Sequence, residues 1–514
     1  MDILAGIKST ASLHPERIVM QTGPEKLTYG QLWERSGALA SFLINEYKES
    51  KAPFAVFGHK SPWMLICFLA CVRAGHAYCP LDISIPEGRL QDILATLPAG
   101  PVFMPVRADR ISSGQRSLLD GCGRRILDEE SLERLCAEPG DESSVCGSEV
   151  TGDETFYIIF TSGSTGRPKG VQISAACLNN FLDWSLTLDK AAGNGAVFLN
   201  QAPFSFDLSV MDLYTCLAAG GTLYCLEKSI QSEYRELMHA LSESGAQVWV
   251  STPSFADVCL ADPSFTQALL PQLECFLFCG ETLANKTAKR LLARFPKASV
   301  VNTYGPTEST VALTQVRITP EMAEASEPLP VGRVKPGSRI RIADEAGMSL
   351  PDGEKGEIIL LGNTVSTGYF EDPVRTGQSF FADPETGMRG YHTGDCGYLK
   401  DGMLYYCGRL DLQIKLHGYR MELEDIEANL CRLPHVRQAV VVPGWRQGKV
   451  TGLTGYLVLA PDEIHNENTV QELRLALSGL IPDYMIPKKL VILDRIPMTP
   501  NGKADRKALA GKTV

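Results

Sequence analysis

The sequence has little of what metal-binding and disulfide-stabilised proteins need. It contains 15 cysteines, an odd number, without a C-x-x-C pair, and only 8 scattered histidines. These spacings argue against a zinc site and against a disulfide framework. Cys67 and Cys71 stand one helical turn apart within an apolar run, which is typical of buried thiols.

An excess of basic residues is also missing. The 514 residues carry 49 Lys+Arg against 60 Asp+Glu, a formal net charge of −11. Binding to a phosphate backbone requires a basic face, so we expect no nucleic-acid partner. Hydrophobic residues at 44% and charged residues at 21% indicate a folded globular protein and exclude a disordered or collagen-like chain.

Long apolar segments are absent as well. The strongest apolar run, residues 64–72, is far too short to span a bilayer. The first residues, Met1 to Leu4, lack the basic region and apolar stretch of a signal peptide. We therefore expect a soluble, cytoplasmic protein with no membrane insertion.

Short strand-like runs alternate with helical patterns along the chain, which predicts an α/β fold. A proline at the first helical position predicts a helix that begins after Ser61 and ends before Gly75. Residues 156–160 read as a buried strand that leads into a glycine-rich loop.

A change of charge near Gly408 indicates a domain boundary. Residues 409–514 have a net charge of +3, whereas residues 1–408 have a net charge of −14. The basic segment has its own pattern, because residues 438–442 read as a strand. Thr469 and Glu472 have the spacing of a capping box ahead of a helix. The sequence thus predicts a large acidic domain followed by a small basic one.

The loop at residues 161–170 (TSGSTGRPKG) carries chemistry suited to a polyphosphate. Three glycines allow close backbone approach, four hydroxyls donate hydrogen bonds, and Lys169 supplies charge. It is not a Walker A loop, because Pro168 precedes the lysine. Taken alone, a mobile turn remains an alternative.

Further motifs follow in a fixed order along the chain. They are LTYGQL at 27–32, RAGHAYCPLD at 73–82, FDLS at 206–209, NTYGPTE at 302–308, GEI at 356–358, YHTGD at 391–395, GRLDLQIK at 408–415, GYRME at 418–422 and NGKADR at 501–506. From end to end this pattern resembles the adenylate-forming superfamily of peptide-synthetase adenylation domains, acyl-CoA synthetases and luciferases. The resemblance implies a large N-terminal domain of stacked α/β subdomains, residues 1–408, and a small, mobile α+β C-terminal domain, residues 409–514.

The resemblance also implies ATP and Mg²⁺ as cofactors and a two-step reaction. A carboxylate attacks the α-phosphate of ATP, pyrophosphate leaves, and the acyl group passes to a thiol. Cations placed in advance stabilise the charge that develops on the phosphoryl oxygens. By resemblance, Lys503 bridges the carboxylate and the phosphate, Glu308 holds Mg²⁺, and Thr307 donates to the α-phosphate.

The same resemblance assigns the nucleotide site. Asp395 accepts hydrogen bonds from both ribose hydroxyls, Tyr304 offers a ring to adenine, and Arg409 places a charge near the ribose and phosphate. The full predicted ATP-binding set is Thr161, Ser162, Gly163, Thr165, Lys169, Asn302, Thr303, Tyr304, Gly305, Pro306, Thr307, Asp395, Tyr406, Cys407, Gly408, Arg409 and Lys503. Asp411 matches the hinge about which the small domain rotates between the two half-reactions.

Asp207 separates the subfamilies. A buried carboxylate needs a cation to offset its desolvation, and in amino-acid-activating members this position binds the substrate ammonium. A role as a helix cap is the alternative, since Asp-x-Ser is a common cap. Longer local runs are similar to stand-alone members that load D-alanine for teichoic acid modification. By that resemblance Cys279 lies against the substrate Cα, Met211 narrows the side-chain pocket, and Val311 offers its backbone to the ammonium.

The resemblance implies D-alanine as the substrate and an acidic carrier protein bearing phosphopantetheine as the partner. We expect the carrier to be a separate protein, because the sequence shows no carrier segment of its own. Two alternatives remain at this point. One is a stand-alone adenylation enzyme for another small amino acid in secondary metabolism. The other is a catalytically inactive relative, against which Lys503, Asp395 and Glu308 all argue.

Overall fold

The computed structural model describes residues 1–163, 166–189, 195–416, 419–446, 449–460, 468–498 and 504–510. The strands as far as residue 409 are β1 (Ile18–Thr22), β2 (Glu25–Thr28), β3 (Phe54–Gly58), β4 (Tyr78–Asp82), β5 (Val102–Met104), β6 (Ile126–Asp128), β7 (Thr155–Thr161), β8 (Lys169–Ser174), β9 (Val197–Asn200), β10 (Thr222–Cys225), β11 (Val248–Ser251), β12 (Cys275–Phe278), β13 (Ser299–Tyr304), β14 (Thr314–Arg317), β15 (Arg333–Val334), β16 (Ser338–Ala343), β17 (Gly356–Gly362), β18 (Gly368–Tyr369), β19 (Phe380–Ala382), β20 (Arg389–Lys400) and β21 (Met403–Arg409). The strands that follow are β22 (Gln413–Leu416), β23 (Tyr419–Glu422), β24 (Val436–Arg446), β25 (Lys449–Leu459) and β26 (Lys489–Ile492).

The helices alternate with these strands, as the sequence predicts for an α/β protein. They are α1 (Ile3–Leu13), α2 (Tyr29–Tyr47), α3 (Pro62–Arg73), α4 (Glu87–Thr96), α5 (Ser113–Gly121), α6 (Glu129–Leu135), α7 (Glu142–Val145), α8 (Ala175–Ser185), α9 (Leu208–Ala218), α10 (Lys228–Ser232), α11 (Tyr234–Glu243), α12 (Pro253–Leu260), α13 (Asn285–Arg294), α14 (Pro320–Glu324), α15 (Pro373–Ser379), α16 (Leu423–Cys431), α17 (Thr469–Ser478) and α18 (Arg506–Ala510). Single 3₁₀ turns lie at Ala108–Arg110, Thr307–Ser309 and Asp483–Met485.

Two large sheets carry the chain before residue 370. The first has the order β15-β14-β13-β12-β11-β9-β10-β1-β2, and the second has the order β18-β8-β7-β4-β3-β5-β6. Their central strands pair in parallel. Ligands of such sheets bind at the carboxyl ends of the strands, which directs attention to the loops after β7, β12 and β13.

Helix α3 packs between these two sheets. It contacts β1 and β2 of the first sheet and β3 and β4 of the second. Every residue of this helix is buried, including Cys67 and Cys71, whose burial the sequence predicts. A helix that is apolar on all sides belongs in the interior, and this one has the proline start and the end before Gly75 that the sequence predicts.

A smaller antiparallel sheet follows, in the order β16-β17-β20-β19 with β21 paired to β20. The chain then forms the hairpin β22–β23 and a three-stranded sheet, β24-β25-β26. A separate apolar cluster, which includes Ile426, Val441, Leu457 and Leu477, draws its residues from positions after 408. The predicted α/β class with a large first part and a small second part is confirmed. Within the described residues, no helix is long and apolar enough to cross a membrane.

One local prediction differs from the structure. Helix α17 begins at Thr469 itself, and Asn468 occupies the N-cap position. Thr469 therefore lies one residue too far into the helix to form the predicted capping box with Glu472. The helix thus begins one residue earlier than the sequence pattern predicts.

Candidate active site

A cavity of about 300 Å³ lies at the carboxyl ends of the parallel strands. Thr161 at the end of β7, Gly280 after β12 and Thr307 after β13 contribute to its walls. Residues from the second part of the chain close it, namely Arg409, Lys415, Tyr419, Arg420 and Tyr484. The cavity is thus formed jointly by the two parts of the chain.

Asp395 organises one end of the cavity. Its carboxylate accepts a hydrogen bond from the Tyr304 hydroxyl at 2.6 Å and one from Arg409 Nη1 at 2.8 Å. Strands β20 and β21 place Asp395 directly opposite Arg409 in the register. The Tyr304 and Tyr406 rings lie 6.0 Å apart, centroid to centroid. The structure therefore brings together a carboxylate, a guanidinium and two aromatic rings, as predicted for a nucleoside site.

Arg409 continues this network to the predicted hinge. Its Nε donates to Asp411 Oδ1 at 2.8 Å, and Nη2 donates to the other oxygen of the same carboxylate. Burial by itself raises the pKa of the Asp411 carboxyl, but the hydrogen bond and the charge of Arg409 outweigh it and lower this pKa. Gly408, with φ of +118°, precedes this pair and allows the chain to turn.

The loop after β7 has an unfilled hydrogen-bonding capacity. Thr161 Oγ1 is buried and has no hydrogen-bond partner among the described residues. A Cβ added to Gly163 would lie 2.4 Å from the carbonyl oxygen of Arg167, so only glycine fits there. A buried hydroxyl without a partner and a tight glycine turn agree with a loop that binds an anionic group.

Glu308 lies at the centre of a buried ionic cluster. One carboxylate oxygen is 3.2 Å from Lys169 Nζ and accepts from the Tyr369 hydroxyl at 2.9 Å. The other oxygen accepts from Arg420 Nη1 at 2.7 Å. Burial by itself raises the pKa of Glu308, but the charges of Arg420 and Lys169 outweigh it and hold this pKa well below its usual range. Glu308 is therefore ionised, with both oxygens engaged.

Lys415 and Arg420 are site residues for which the sequence analysis predicts no role. Both belong to the hairpin β22–β23 and line the cavity. The Ser162 hydroxyl donates to the Arg420 carbonyl and accepts from the Glu422 N–H, which fixes the hairpin to the glycine-rich loop. The signal that could have found them lies in the sequence motifs. Lys415 ends the GRLDLQIK motif, and Arg420 lies within the GYRME motif.

Asp207 marks the opposite end of the cavity. It stands at the N-cap position of α9 but makes no side-chain capping hydrogen bond. Its Oδ2 accepts instead from the Thr307 hydroxyl at 2.7 Å. Burial raises the pKa of this carboxyl, and the nearby charges of Lys415 and Arg420 oppose that rise. The alternative of an ordinary helix cap therefore does not hold.

A small apolar wall adjoins Asp207. Cys279 and Met211 are buried in the same apolar cluster as Val311. The Cys279 thiol donates to the Val311 carbonyl at 3.5 Å. Thr310 and Val311 have φ values of +60° and +69°, a strained backbone for β-branched residues. The structure thus joins Cys279 and Val311 directly and places Met211 in the same apolar cluster.

The remaining predicted residues lie on the strands that frame the cavity. Asn302 Nδ2 donates to the Pro330 carbonyl at 2.8 Å, and Thr303 Oγ1 donates to the Phe278 carbonyl at 2.8 Å. Gly305 and Pro306 line the cavity between β13 and Thr307. Cys407 is exposed, and its thiol is adjacent to Cys396. Thr165 and Lys503 lie outside the described residues.

A second cavity, of about 210 Å³, adjoins the first. Pro203, Phe206 and Tyr419 line both. The Tyr419 ring stacks on Tyr484 at 3.7 Å and meets Phe206 edge-on at 5.2 Å. The second cavity continues toward Val258, whose side chain is exposed.

The fold and the site define an adenylate-forming ligase, and comparison with known proteins gives the family. Residues 7–370 match the family described as AMP-binding enzyme, and residues 425–503 match the AMP-binding enzyme C-terminal domain. The chain belongs to the AMP-binding enzyme family.

Similar proteins cover the whole chain. The D-alanine–D-alanyl carrier protein ligase of Bacillus licheniformis is 45% identical over 516 residues, which cover 99% of each chain. The ligase of the same name from Listeria welshimeri is 46% identical, over 99% of this chain and 98% of its own. Among solved structures, the adenylation domain AlmE of Vibrio cholerae, in complex with glycyl-adenosine-5′-phosphate, superimposes with a TM-score of 0.83 at 23% identity, over 99% of this chain and 97% of its own.

Proposed function

We propose that the protein activates D-alanine with ATP as D-alanyl-AMP, releases pyrophosphate, and transfers the D-alanyl group to the phosphopantetheine thiol of a carrier protein for D-alanylation of teichoic acids. The observation that carries this proposal is the pair of contacts that join Asp207 to Thr307 and Cys279 to Val311, in a chain 44–46% identical over its full length to ligases of that name.

Asp207 supports an amino acid as the substrate. Its carboxylate has a hydroxyl partner, and within the described part of the chain no basic side chain lies within salt-bridge distance. A substrate ammonium placed there would supply the missing counter-ion. The Val311 carbonyl, positioned through its strained backbone and the Cys279 thiol, is a second acceptor for that ammonium.

The apolar wall supports a small side chain. Met211 and Cys279 are buried, and we assign to them the role of limiting the pocket to a methyl group. The site can distinguish D-alanine from L-alanine if it fixes the positions of the ammonium, the carboxylate and the Cα hydrogen. The fourth substituent of Cα, the methyl group, then fits for only one of the two enantiomers. We assign that steric role to Cys279.

The residues present fit ATP. Asp395 offers two carboxylate oxygens to a vicinal diol, and the Thr161 hydroxyl offers an unused hydrogen bond to a phosphate. Thr307 and Lys169 extend this polar wall toward Glu308. These groups bind and orient the nucleotide and exclude water from it, so that the amino-acid carboxylate attacks the α-phosphate in line. Lys503 supplies the bridging charge in this proposal.

Glu308 is the carboxylate for Mg²⁺, a hard cation that prefers oxygen ligands and phosphate oxygens. In this structure the oxygen not held by Lys169 and Tyr369 accepts from Arg420. A bound Mg²⁺ and the Arg420 guanidinium would therefore compete for the Glu308 carboxylate. Mg²⁺ would neutralise charge on the departing pyrophosphate, and Arg420 supplies a positive charge to Glu308 in the present arrangement.

This competition supports a movement of the small domain. We assign the present arrangement, with the hairpin β22–β23 at Glu308, to the thiol-transfer step. Residues 1–408 and 409–514 form the two domains, and Asp411 is the hinge. The second cavity beside Tyr419 gives an elongated thiol an approach from the surface at Val258.

The partner is an acidic carrier protein in the cytoplasm, where ATP is available. The net charge of +3 on residues 409–514 favours an acidic partner, and this attraction weakens as ionic strength rises.

The proposal is tested by amino-acid-dependent exchange of pyrophosphate into ATP. D-alanine is compared with L-alanine, glycine, D-serine, L-serine and acetate. We expect a strong preference for D-alanine and no exchange with acetate, since acetate lacks the ammonium. Preference for another small amino acid would retain the chemistry and favour a role in secondary metabolism. Exchange that proceeds equally well with acetate would contradict the role of Asp207.

A further inference from the structure

Two cysteines face each other across the strand pair behind the nucleotide site. Cys396 lies on β20 and Cys407 lies on β21. The antiparallel register pairs Cys396 with Gly408 and Gly397 with Tyr406, so Cys407 is the extra residue of a bulge. A β-bulge redirects a side chain relative to the regular alternation of a strand.

The register and the bulge make the two cysteines neighbours across the strand pair. Burial and the neighbouring Cys407 raise the pKa of the Cys396 thiol, and Cys407 also lies near Tyr398, two residues further along β20. Because side chains two apart share a face of a strand, Cys396, Tyr398 and Cys407 lie on one face of this sheet. Asp395, adjacent to Cys396, therefore points to the other face, where it meets Tyr304 and Arg409.

The two cysteines differ in their exposure to solvent. Cys407 is exposed to solvent and Cys396 is half-buried. Most of the other cysteines are fully buried, among them Cys67, Cys71 and Cys216. A peroxide in solution can thus reach Cys407 first, while Cys396 stands beside it and is shielded from direct attack.

We propose that Cys396 and Cys407 form a redox modification site, at which a peroxide oxidises the two thiols to an intramolecular disulfide and lowers the affinity of the neighbouring site for ATP. Strand register and a one-residue bulge bring the two cysteine side chains to neighbouring positions on one face of the sheet.

The chemistry balances with hydrogen peroxide as the oxidant. The Cys407 thiolate attacks one peroxide oxygen, the O–O bond breaks, and the products are a sulfenic acid and hydroxide, which takes up a proton as water. The Cys396 thiolate then attacks the Cys407 sulfur, and the sulfenic hydroxyl leaves as water. In total two thiols and one hydrogen peroxide give one disulfide and two molecules of water. A thiol reductant reverses the step.

The effect on the nucleotide site follows from its position. An S–S bond of about 2.05 Å draws the two sulfurs closer than any hydrogen-bonded contact allows. The strain falls on the bulge, between the register pairs that hold Asp395 opposite Arg409 and Gly397 opposite Tyr406. This effect on affinity rests on the proposed function of Asp395 and Tyr406, whereas formation of the disulfide does not.

The experiment uses the full chain and peptide mass spectrometry. The reduced protein is treated with hydrogen peroxide, blocked with N-ethylmaleimide and digested with trypsin. Cleavage after Lys400 separates the cysteines into peptides 390–400 and 401–409. We expect a disulfide-linked pair of these two peptides, a loss of two alkylated thiols per chain, and recovery of both after dithiothreitol. Calorimetric titration with ATP should give a larger Kd for the oxidised protein, reversed by reduction.

Control variants separate this site from general oxidation. Cys146→Ser removes another exposed cysteine and should leave the linked peptides unchanged. Cys396→Ser should abolish the link and leave Cys407 to oxidise to the sulfinic acid. Two unlinked, alkylated peptides after peroxide treatment would overturn the disulfide. A linked pair with an unchanged Kd for ATP would overturn its effect on the nucleotide site. Neither result depends on which amino acid the enzyme activates.

Discussion

Two carboxylates, Glu308 and Asp207, have opposite electrostatic surroundings. Glu308 is surrounded by Lys169, Arg420 and the Tyr369 hydroxyl, which hold it ionised. Asp207 has the Thr307 hydroxyl, and burial raises its pKa. The first carboxylate has its counter-ions within the chain, and under the proposed function the second gains from a cation that arrives with the substrate.

The Asp207→Asn variant tests that difference. Asparagine keeps the shape and can still accept from Thr307, but it offers no charge to an ammonium. Loss of one partner of a buried charge pair costs about 2 kcal/mol or more, so the KM for the amino acid should rise at least ~30-fold. The KM for ATP should change little. Both are measured by pyrophosphate exchange.

A surface carboxylate is the matched control for this variant. Asp153→Asn removes a charge of the same kind at an exposed position and should leave both KM values unchanged. An equal rise in the KM values for ATP and amino acid in Asp207→Asn would show that Asp207 acts on the site as a whole and not on the ammonium.

At the scale of elements, the hairpin β22–β23 contributes two positive charges to the cavity. It brings Lys415 and Arg420 to a site that residues of the first two sheets and Arg409 of β21 also line. Contacts between Ser162 and the backbone of Arg420 and Glu422 hold it there. Withdrawal of this hairpin would free one oxygen of Glu308.

Arg420→Met and Lys503→Ala should therefore have opposite effects on the two half-reactions. Arg420→Met leaves Glu308 with less compensation in the present arrangement, a loss of about 3–5 kcal/mol for a buried pair. It should slow transfer of preformed D-alanyl-AMP to a carrier and spare pyrophosphate exchange. Lys503→Ala should abolish exchange and spare transfer. Single-turnover transfer and exchange are measured on both.

Arg437→Met serves as the control, since Arg437 is an exposed arginine of the same part of the chain. If both test variants lost both half-reactions to the same extent, the two-arrangement proposal would be wrong.

The sequence predicts individual helices and strands better than it predicts the contacts between them. Helix α3 and strand β7 follow from a proline start and an apolar run, which are local signals. Asp207 and Thr307 are both predicted site residues, but their direct hydrogen bond depends on how α9 and β13 are placed. The approach of Arg420 to Glu308 joins positions 112 residues apart and depends on how the two parts of the chain pack. No local pattern encodes that packing.

The same limit applies to the thiol pair. The sequence places Cys407 on a nucleotide-facing segment, and it gives no reason to pair it with Cys396. The pairing depends on the register of β20 and β21 and on a one-residue bulge. Register is a property of two strands together, and a shift of one residue would turn a side chain to the other face.

At the scale of the whole molecule, a buried ion pair joins the two parts. Arg89 on α4 donates to Asp425 on α16 at 3.0 Å, and both side chains are almost fully buried. The Gly88 N–H donates to the Gly479 carbonyl at 2.9 Å beside it, and Asn429 Nδ2 donates to the Gly166 carbonyl. This surface stabilises the arrangement that places the hairpin in the cavity.

Arg89→Met should loosen this arrangement, because it leaves the Asp425 carboxylate buried without its cation. We expect faster amide hydrogen exchange in residues 419–431 and slower transfer to the carrier, with pyrophosphate exchange preserved. Hydrogen-exchange mass spectrometry and the two activity assays are the measurements.

Arg116→Met, which breaks an exposed pair with Asp120, is the matched control and should alter neither. Unchanged protection of residues 419–431 in Arg89→Met would contradict a stabilising role for the buried pair.

Tyr419 has a consequence for small-molecule inhibition. Its ring lines both the 300 Å³ and the 210 Å³ cavity, and it belongs to the hairpin that leaves the site in the proposed movement. A compound that fills the smaller cavity and rests on this ring finds its complete binding surface only while the hairpin is in place. Such a compound binds one arrangement in preference and shifts the population toward it. It would stop the catalytic cycle by holding the hairpin in place, without resembling ATP or the amino acid.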